Sequence, residues 1–220
     1  MGDTVSLWRA QVRSPILAVE GDPHWLRYLR ANTGALPGVT IASVFLGERS
    51  ENRAMRAERC QGTSVFVADD EAGTSVEVRT PRQLIERYPA FDDARLIKTD
   101  TDGYDYGIVK GFVGELSHAP VFFFEHDPTF GDDGVAESEE LRLSLASAQY
   151  RWTLWWDNVG RFLLACDIHN AMLWQDLTHY VPVPGHIHYW DVAAFPDGDT
   201  DLALSLRMAE LSRSTSSEHS

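Results

Sequence analysis

The chain has 220 residues, of which 44% are hydrophobic, and this length and composition predict one globular domain over residues 1 to 212 with a polar, disordered tail over 213 to 220. The 33 acidic residues outnumber the 19 lysines and arginines, and a formal charge of -14 argues against a nucleic acid partner, because phosphate binding requires clustered cations. The two cysteines match no disulfide or zinc pattern, and no apolar run reaches the roughly 20 residues of a membrane span, so we expect a cytoplasmic protein without a membrane span.

The first part of the chain has the pattern of a strand, helix and strand unit. A short helix is predicted from Asp3 to Gln11, and the compact apolar run at 15 to 23 has the composition of a buried strand. Residues 24 to 36 carry apolar side chains at helical spacing, and 39 to 47 follow as the next strand. Because a crossover helix joins strands that run in the same direction, the unit predicts a parallel sheet.

The next stretch alternates polar and β-rich segments. Residues 48 to 63 are polar and charged without a clear period, so we interpret them as a surface connection. Two β-rich runs within residues 64 to 80 flank a cluster of Asp, Glu and Gly, which predicts a hairpin. A short helix between prolines at 81 to 89 and a strand at 94 to 100 complete this part.

The second half repeats the strand and helix rhythm. A helix is predicted over 104 to 116, an apolar strand over 120 to 128 and a further helix over 139 to 150. Strands joined by turns are predicted within 151 to 170 and 186 to 196. A terminal helix is expected near 200 to 211.

Carboxylates follow three of the predicted strands. These acids are Glu20 with Asp22, Asp100 with Asp102, and Glu125 with Asp127. In open α/β sheets ligands bind beyond the carboxyl ends of the strands, so the acids are candidates for one ligand-binding rim. Glu20 comes 18 residues after Gly2, close to the spacing of about 20 that separates a glycine loop from a ribose-binding acid.

The segments ILAVEGDP, LIKTDTDGYDYGIVKG and VFFFEHDP resemble the FkbM family of S-adenosylmethionine-dependent methyltransferases. Residues 96 to 111 are the most specific part of the resemblance. The matching positions are Lys98, Asp100, Asp102, Gly103, Lys110, Gly111 and Glu125. WWDNVGRFLL and HYWDVAAF are similar to segments of a glycan-associated branch of the family, and the resemblance extends over residues 2 to 196.

The resemblance implies an α/β fold with a Rossmann-like class I methyltransferase sheet, helices on both faces and a C-terminal β-rich segment. In that sheet strand one lies between strands two and four and leads into a glycine loop. Only Gly2, Asp3 and Thr4 match the loop here, so we expect a truncated chain that lacks the first strand. Asp102 also departs from the family pattern, in which Glu is commoner.

The implied activity is O-methyl transfer from S-adenosyl-L-methionine to a sugar hydroxyl of a glycan or glycosylated metabolite; the oligomeric state is not predicted. The resemblance places Glu20, Gly21 and Asp100 at the donor, and assigns Gly2, Asp3 and Thr4 to the amino-acid end of the donor. Such a displacement needs orientation and removal of the acceptor proton.

The base itself has three candidates. Asp100 is preferred, and Asp102 and His126 are the alternatives. A turn and helix cap is the competing interpretation of the two aspartates.

Two further sets of residues leave alternatives open. Five tryptophans in the last third are candidates for a sugar-stacking wall, although core packing is the commoner use. His186 and His188 would share a strand face, and Asp167 and His169 lie nearby, which is the pattern of a metal-dependent hydrolase. Because such pairs are more often surface or core residues, we predict no metal site. A non-catalytic partner module is the remaining alternative.

Overall fold

The computed structural model describes residues 2–60, 63–68, 74–101, 103–131, 133–181 and 189–216. The described part is a mixed α/β structure with seven α-helices and eleven strands in three sheets. It divides into two compact units, Met1–Asp92 and Asp93–Ser220. No helix in these described ranges combines the length and apolar character needed to cross a membrane.

The first unit begins with a two-stranded parallel sheet and its crossover helix. Its elements are α1 (Asp3–Gln11), β1 (Ile16–Val19), α2 (Pro23–Thr33) and β2 (Val39–Ala42). Asp22 caps α2 by accepting a hydrogen bond from the His24 backbone N–H at 2.8 Å, and proline occupies the first turn. Leu26 and Leu29 of α2 pack against Ala18 of β1. The predicted strand, helix and strand unit is therefore confirmed.

A four-stranded sheet follows in the same unit and corrects two predictions. Its strands are β3 (Phe45–Leu46), β4 (Glu51–Cys60), β5 (Thr63–Ala68) and β6 (Thr74–Arg79), in the order β3-β6-β4-β5. The surface connection expected at 48 to 63 is wrong, because β4 is a ten-residue strand there. The hairpin expected within 64 to 80 is also wrong, because β5 and β6 both pair with β4. Backbone pairing on both sides sustains a charged strand that has no apolar alternation.

The second unit is built on a five-stranded sheet in the order β10-β9-β11-β8-β7. Its strands are β7 (Leu96–Lys98), β8 (Val121–His126), β9 (Tyr150–Asp157), β10 (Phe162–Asp167) and β11 (Trp190–Pro196). β7 and β8 are parallel, whereas β11 runs antiparallel to both β8 and β9. An antiparallel strand therefore lies between two strands that run in the same direction.

Within the described residues, four α-helices accompany this sheet in the second unit, and in chain order they are α4 (Asp105–Phe112), α5 (Gly134–Ser147), α6 (Ala171–Tyr180) and α7 (Thr200–Ser216). The helix α3 (Pro81–Arg87) belongs to the first unit. Ala203 of α7 packs with Leu154, Trp156 and Phe195 in one core cluster. α7 continues through residues 213 to 216, which the sequence assigned to a tail.

Candidate active site at the carboxyl edge of the sheet

Carboxylates collect at the edge of the five-stranded sheet where parallel β7 and β8 end. The ladder pairs Asp191 of β11 with Glu125 of β8, and the Thr99 N–H donates to the Phe123 carbonyl at 2.9 Å. Extending this register places Asp100 opposite Glu125. Because paired residues point to the same face, these three acids form one row across the sheet.

Lys98 forms an ion pair with Asp100, the exposed acid of that row. Its Nζ lies 2.5 Å from Asp100 Oδ2 and 5.9 Å from the centre of the Phe123 ring. The Asp100 side chain is 62% exposed, whereas the Lys98 side chain is mostly covered. The preferred base is therefore a solvent-facing carboxylate that is paired with a nearly buried cation.

Asp191 is the second ionisable group of the row. Burial chiefly raises the pKa of its carboxyl, Lys98 lowers it, and the negative charges of Asp100, Asp105 and Asp157 raise it further. The sequence did not single out Asp191 as a site residue. Its position opposite Glu125 depends on pairing between strands that are more than 60 residues apart.

Asp105 is the most deeply buried acid near this edge, with 1% of its surface exposed. Its Oδ2 accepts hydrogen bonds from the Thr101 hydroxyl at 2.8 Å and the Thr101 N–H at 3.2 Å. Burial raises the pKa of Asp105, and the facing Thr99 hydroxyl lowers it, yet neither Asp105 Oδ1 nor Thr99 Oγ1 completes a hydrogen bond. Sequence reasoning chose Asp100 and Asp102 instead, and Asp102 lies outside the described residues.

His126, the last residue of β8, is fully buried in a polar chain that crosses three helices. Its Nδ1 lies 3.1 Å from the Tyr106 hydroxyl, and its Nε2 lies 3.1 Å from Thr178 Oγ1. Ser138 Oγ lies 3.1 Å from the same Thr178 oxygen and accepts from the Trp174 indole N–H at 2.8 Å. Every polar group of this chain has a partner.

One assignment of protons satisfies the whole chain. The Thr178 hydroxyl donates to the Trp174 carbonyl at 2.9 Å, so its oxygen accepts from His126 Nε2 and from Ser138. His126 Nδ1 then accepts from the Tyr106 hydroxyl. Burial lowers the pKa of His126 to about 3, which agrees with a neutral imidazole. With both ring nitrogens occupied and no exposed surface, His126 does not reach a ligand in this arrangement.

A cavity of about 380 Å³ opens beside this chain, between the start of α5 and the second half of α6. Its lining residues are Asp133, Val135, Ala136, Ser138, Glu139, Trp174, Gln175, Thr178 and His179. The Ser138 and Thr178 hydroxyls in the lining are already committed to the buried network. A ligand in this cavity would therefore form its hydrogen bonds with the other polar residues of the lining.

Glu20 follows β1 in the first unit, at the carboxyl edge of its own sheet. Its Oε1 accepts from the Asp22 N–H at 2.8 Å, and burial chiefly raises the pKa of the carboxyl. The next residue, Gly21, lies under the ring of Phe45, where an added Cβ would sit 2.5 Å from Phe45 Cγ. The loop after β1 thus presents a half-buried carboxylate held by its own backbone.

Gly2, Asp3 and Thr4 are not brought to Glu20. A Cβ on Gly2 would lie 3.0 Å from Thr33 Cγ2 and 3.4 Å from Leu29 Cδ1, so Gly2 packs against the second half of α2. Asp3 and Thr4 begin α1 at the same place. Glu20 lies near the other end of α2, and the ten steps along the chain from Asp22 to Asn32 rise about 15 Å along the helix.

The tryptophans and the histidine pairs have other surroundings. Trp155, Trp174 and Trp190 are each at most 2% exposed and belong to the core. His186 and His188 lie outside the described residues. Within the described part of the chain, no three His, Cys, Asp or Glu side chains form a group that could hold a metal ion.

Comparisons with known protein families, with curated proteins and with solved structures find no match to this chain. The FkbM resemblance therefore rests on the sequence motifs, above all residues 96 to 111.

Proposed function

We propose that this chain is an S-adenosylmethionine-dependent O-methyltransferase whose acceptor is a sugar hydroxyl of a glycan or glycosylated metabolite. The observation that carries the proposal is the antiparallel β11 inserted between β8 and β9, two strands that run in the same direction. A class I methyltransferase sheet, which the resemblance implies, places its last strand in this way. The acids at the carboxyl ends of β7 and β8 add support, because ligands of α/β sheets bind there.

Two open sheet edges also support the proposal. Within the described residues β1 pairs only with β2, and β7 pairs only with β8. In the implied sheet these positions are strands two and four, the neighbours of strand one. Each of these strands has an edge without a strand partner within the described residues, and such edges favour the addition of a strand.

Glu20 is the residue that best fits a donor. S-adenosyl-L-methionine, when bound, would supply a methyl group on a sulfonium that an oxygen nucleophile can attack. The half-buried Glu20 carboxylate is suited to accept hydrogen bonds from two ribose hydroxyls, and the backbone N–H of Asp22 fixes its orientation. Gly2, Asp3 and Thr4 do not fit the other end of the same donor in this arrangement, because α2 separates them from Glu20.

Asp100 is the group that best fits the acceptor. Its exposed carboxylate would accept the proton of the attacking hydroxyl, while Lys98 fixes the carboxylate in place. Besides burial, the negative charge of Asp100 raises the pKa of both Asp191 and Asp105, so the three carboxyl groups interact electrostatically. Asp102 remains a proposed alternative, whereas the buried and fully bonded His126 is a less suitable base.

The separation of Gly2 from Glu20 favours a second candidate, a non-catalytic module that keeps the fold. Calorimetric titration of S-adenosylhomocysteine separates the two. A methyltransferase should bind it with micromolar affinity, and Glu20→Ala should weaken binding at least tenfold while Glu86→Ala, an exposed acid of α3, leaves it unchanged. Absence of binding to the wild-type chain would overturn the donor assignment and support the module.

A further inference from the structure

Two aromatic side chains meet above the acidic edge, each from a loop that follows one of the parallel strands. Tyr104 lies in the loop after β7, and Phe130 lies in the loop after β8. Their ring centres are 5.3 Å apart in an edge-to-face arrangement, and 37% of Tyr104 is exposed. The pair therefore presents aromatic surface at the end of the sheet where Asp100 is exposed.

The local sequence fixes this pair. Gly103 has a φ of +103°, and a Cβ there would collide with the Phe130 ring, so the ring packs on bare backbone. Asp127 Oδ1 accepts from the Thr129 N–H at 2.8 Å and from the Thr129 hydroxyl, which closes a turn just before Phe130. The bare backbone of Gly103 and the turn at Thr129 therefore hold the rings of Tyr104 and Phe130 in contact.

We propose that Tyr104 and Phe130 form the platform on which the pyranose ring of the acceptor stacks, with Asp100 accepting hydrogen bonds from its hydroxyls. The apolar face of a pyranose matches an aromatic ring, and a carboxylate is the strongest acceptor for neighbouring hydroxyl groups. Because Tyr104 and Phe130 meet edge to face, their surfaces lie at an angle to each other. This arrangement suits a pyranose ring that carries a substituent. The identity of the acceptor subsite rests on the proposed function, but sugar binding itself needs no methyl donor.

The buried tryptophans strengthen this assignment. Trp155 and Trp174 are at most 1% exposed, so the aromatic surface needed for a sugar is not available from them. Tyr104 is exposed, and it follows the same strand as Asp100. The platform therefore combines an aromatic face with the exposed carboxylate of Asp100, which is paired with Lys98.

Saturation-transfer NMR with methyl β-glucopyranoside and methyl β-galactopyranoside as probes tests the proposal. At least one probe should bind the wild-type chain with a dissociation constant of about 1 to 10 mM, as expected for one stacked ring with few hydrogen bonds. Tyr104→Ala should weaken that binding at least tenfold. Tyr28→Ala, which removes an exposed tyrosine of the first unit, should leave it unchanged.

A pair of glycine variants tests the geometry without removing any contacting side chain. Gly103→Ala should displace the Phe130 ring and weaken sugar binding severalfold. Gly114→Ala is the matched control, because Gly114 also has a positive φ (+77°) but its Cβ would meet nothing within 4 Å. Equal binding by the two variants would overturn the platform, as would equal binding by Tyr104→Ala and the wild type.

Measurements of sugar binding and of S-adenosylhomocysteine binding on the same chain distinguish failure of the platform from failure of the proposed function. Sugar binding that Tyr104→Ala abolishes, without binding of S-adenosylhomocysteine, would keep the platform and remove the methyltransferase. Binding of S-adenosylhomocysteine with no saturation transfer to either sugar would keep the methyltransferase and overturn the platform.

Discussion

His126 Nε2 lies 3.1 Å from the hydroxyl oxygen of Thr178, which is 52 residues further along the chain. This contact joins the end of β8 to the last turn of α6. Since Thr178 donates its own proton to the Trp174 carbonyl, His126 Nε2 must act as the donor, and burial, which lowers the pKa of His126, keeps the imidazole neutral. The contact thus fixes the tautomer of His126, whereas burial lowers its pKa.

We expect acid to destabilise the second unit through His126. Its folded pKa is lowered to about 3 from an ordinary value of 6.5, so between these values the unfolded chain binds a proton that the folded chain does not. The contribution of His126 to the free energy of unfolding is therefore fully present above pH 6.5 and is lost as the pH falls below that value. Between pH 7 and pH 5 the loss should be about 2 kcal/mol.

Urea unfolding of the wild type and of His126→Gln, at pH 7, 6 and 5, measures this term. The free-energy difference between the two proteins should shrink by about 2 kcal/mol over that range, because Gln does not titrate. An unchanged difference would mean that His126 has the same pKa in the folded and unfolded chains and would contradict its burial as a neutral imidazole.

Thr178→Val should destabilise the protein by about 2 to 4 kcal/mol, because it leaves the His126 N–H and the Ser138 hydroxyl as buried donors without an acceptor. The two side chains have nearly the same volume, so packing changes little. Thr200→Val is the matched control, since the buried Thr200 hydroxyl has no hydrogen-bond partner. Equal losses from the two variants, measured by urea unfolding, would refute the network.

Asp105→Asn should be neutral or stabilise the protein by about 1 kcal/mol at pH 7. Burial raises the folded pKa of Asp105, so stability rises as the pH falls towards the ordinary value of 3.8, and Asn imitates the protonated form. Its amide can also donate to the unpartnered Thr99 hydroxyl while its carbonyl still accepts from Thr101.

Chemical denaturation at pH 7 and pH 5 checks this expectation, with Asp105→Ala as the control that loses the hydrogen bonds of Thr101. The Asn variant should gain less than the wild type on acidification. A marked loss of stability in Asp105→Asn at pH 7 would show that the charge itself is needed for folding.

Local signals in the sequence account for much of the fold. The flanking prolines predicted α3. The structure adds a capping box, in which the Thr80 N–H donates to Gln83 Oε1 at 3.1 Å and the Gln83 N–H donates to Thr80 Oγ1 at 3.3 Å. The apolar runs ending in acid predicted β1 and β8. In each case the residues that decide the structure are within a few positions of one another.

The parts that sequence reasoning missed depend on residues far apart in the chain. The charged β4 is a strand because β5 and β6 pair with its two edges, and its own sequence carries no alternation. Asp105 was also missed, because its burial follows from α4 packing on β8 and not from a local pattern. The separation of Gly2 from Glu20 depends on the path of α1 along α2.

Gly21→Ala should destabilise the first unit by about 1 to 3 kcal/mol, because the added methyl would sit 2.5 Å from Phe45 Cγ and must displace the ring. Gly198→Ala is the control, since nothing lies within 4 Å of its Cβ position. Combining Gly21→Ala with Phe45→Ala should cost less than the sum of the two single changes, because the collision disappears. Additive losses in urea unfolding would place the Phe45 ring elsewhere. The loop that holds the Glu20 carboxylate would then lack the packing described here.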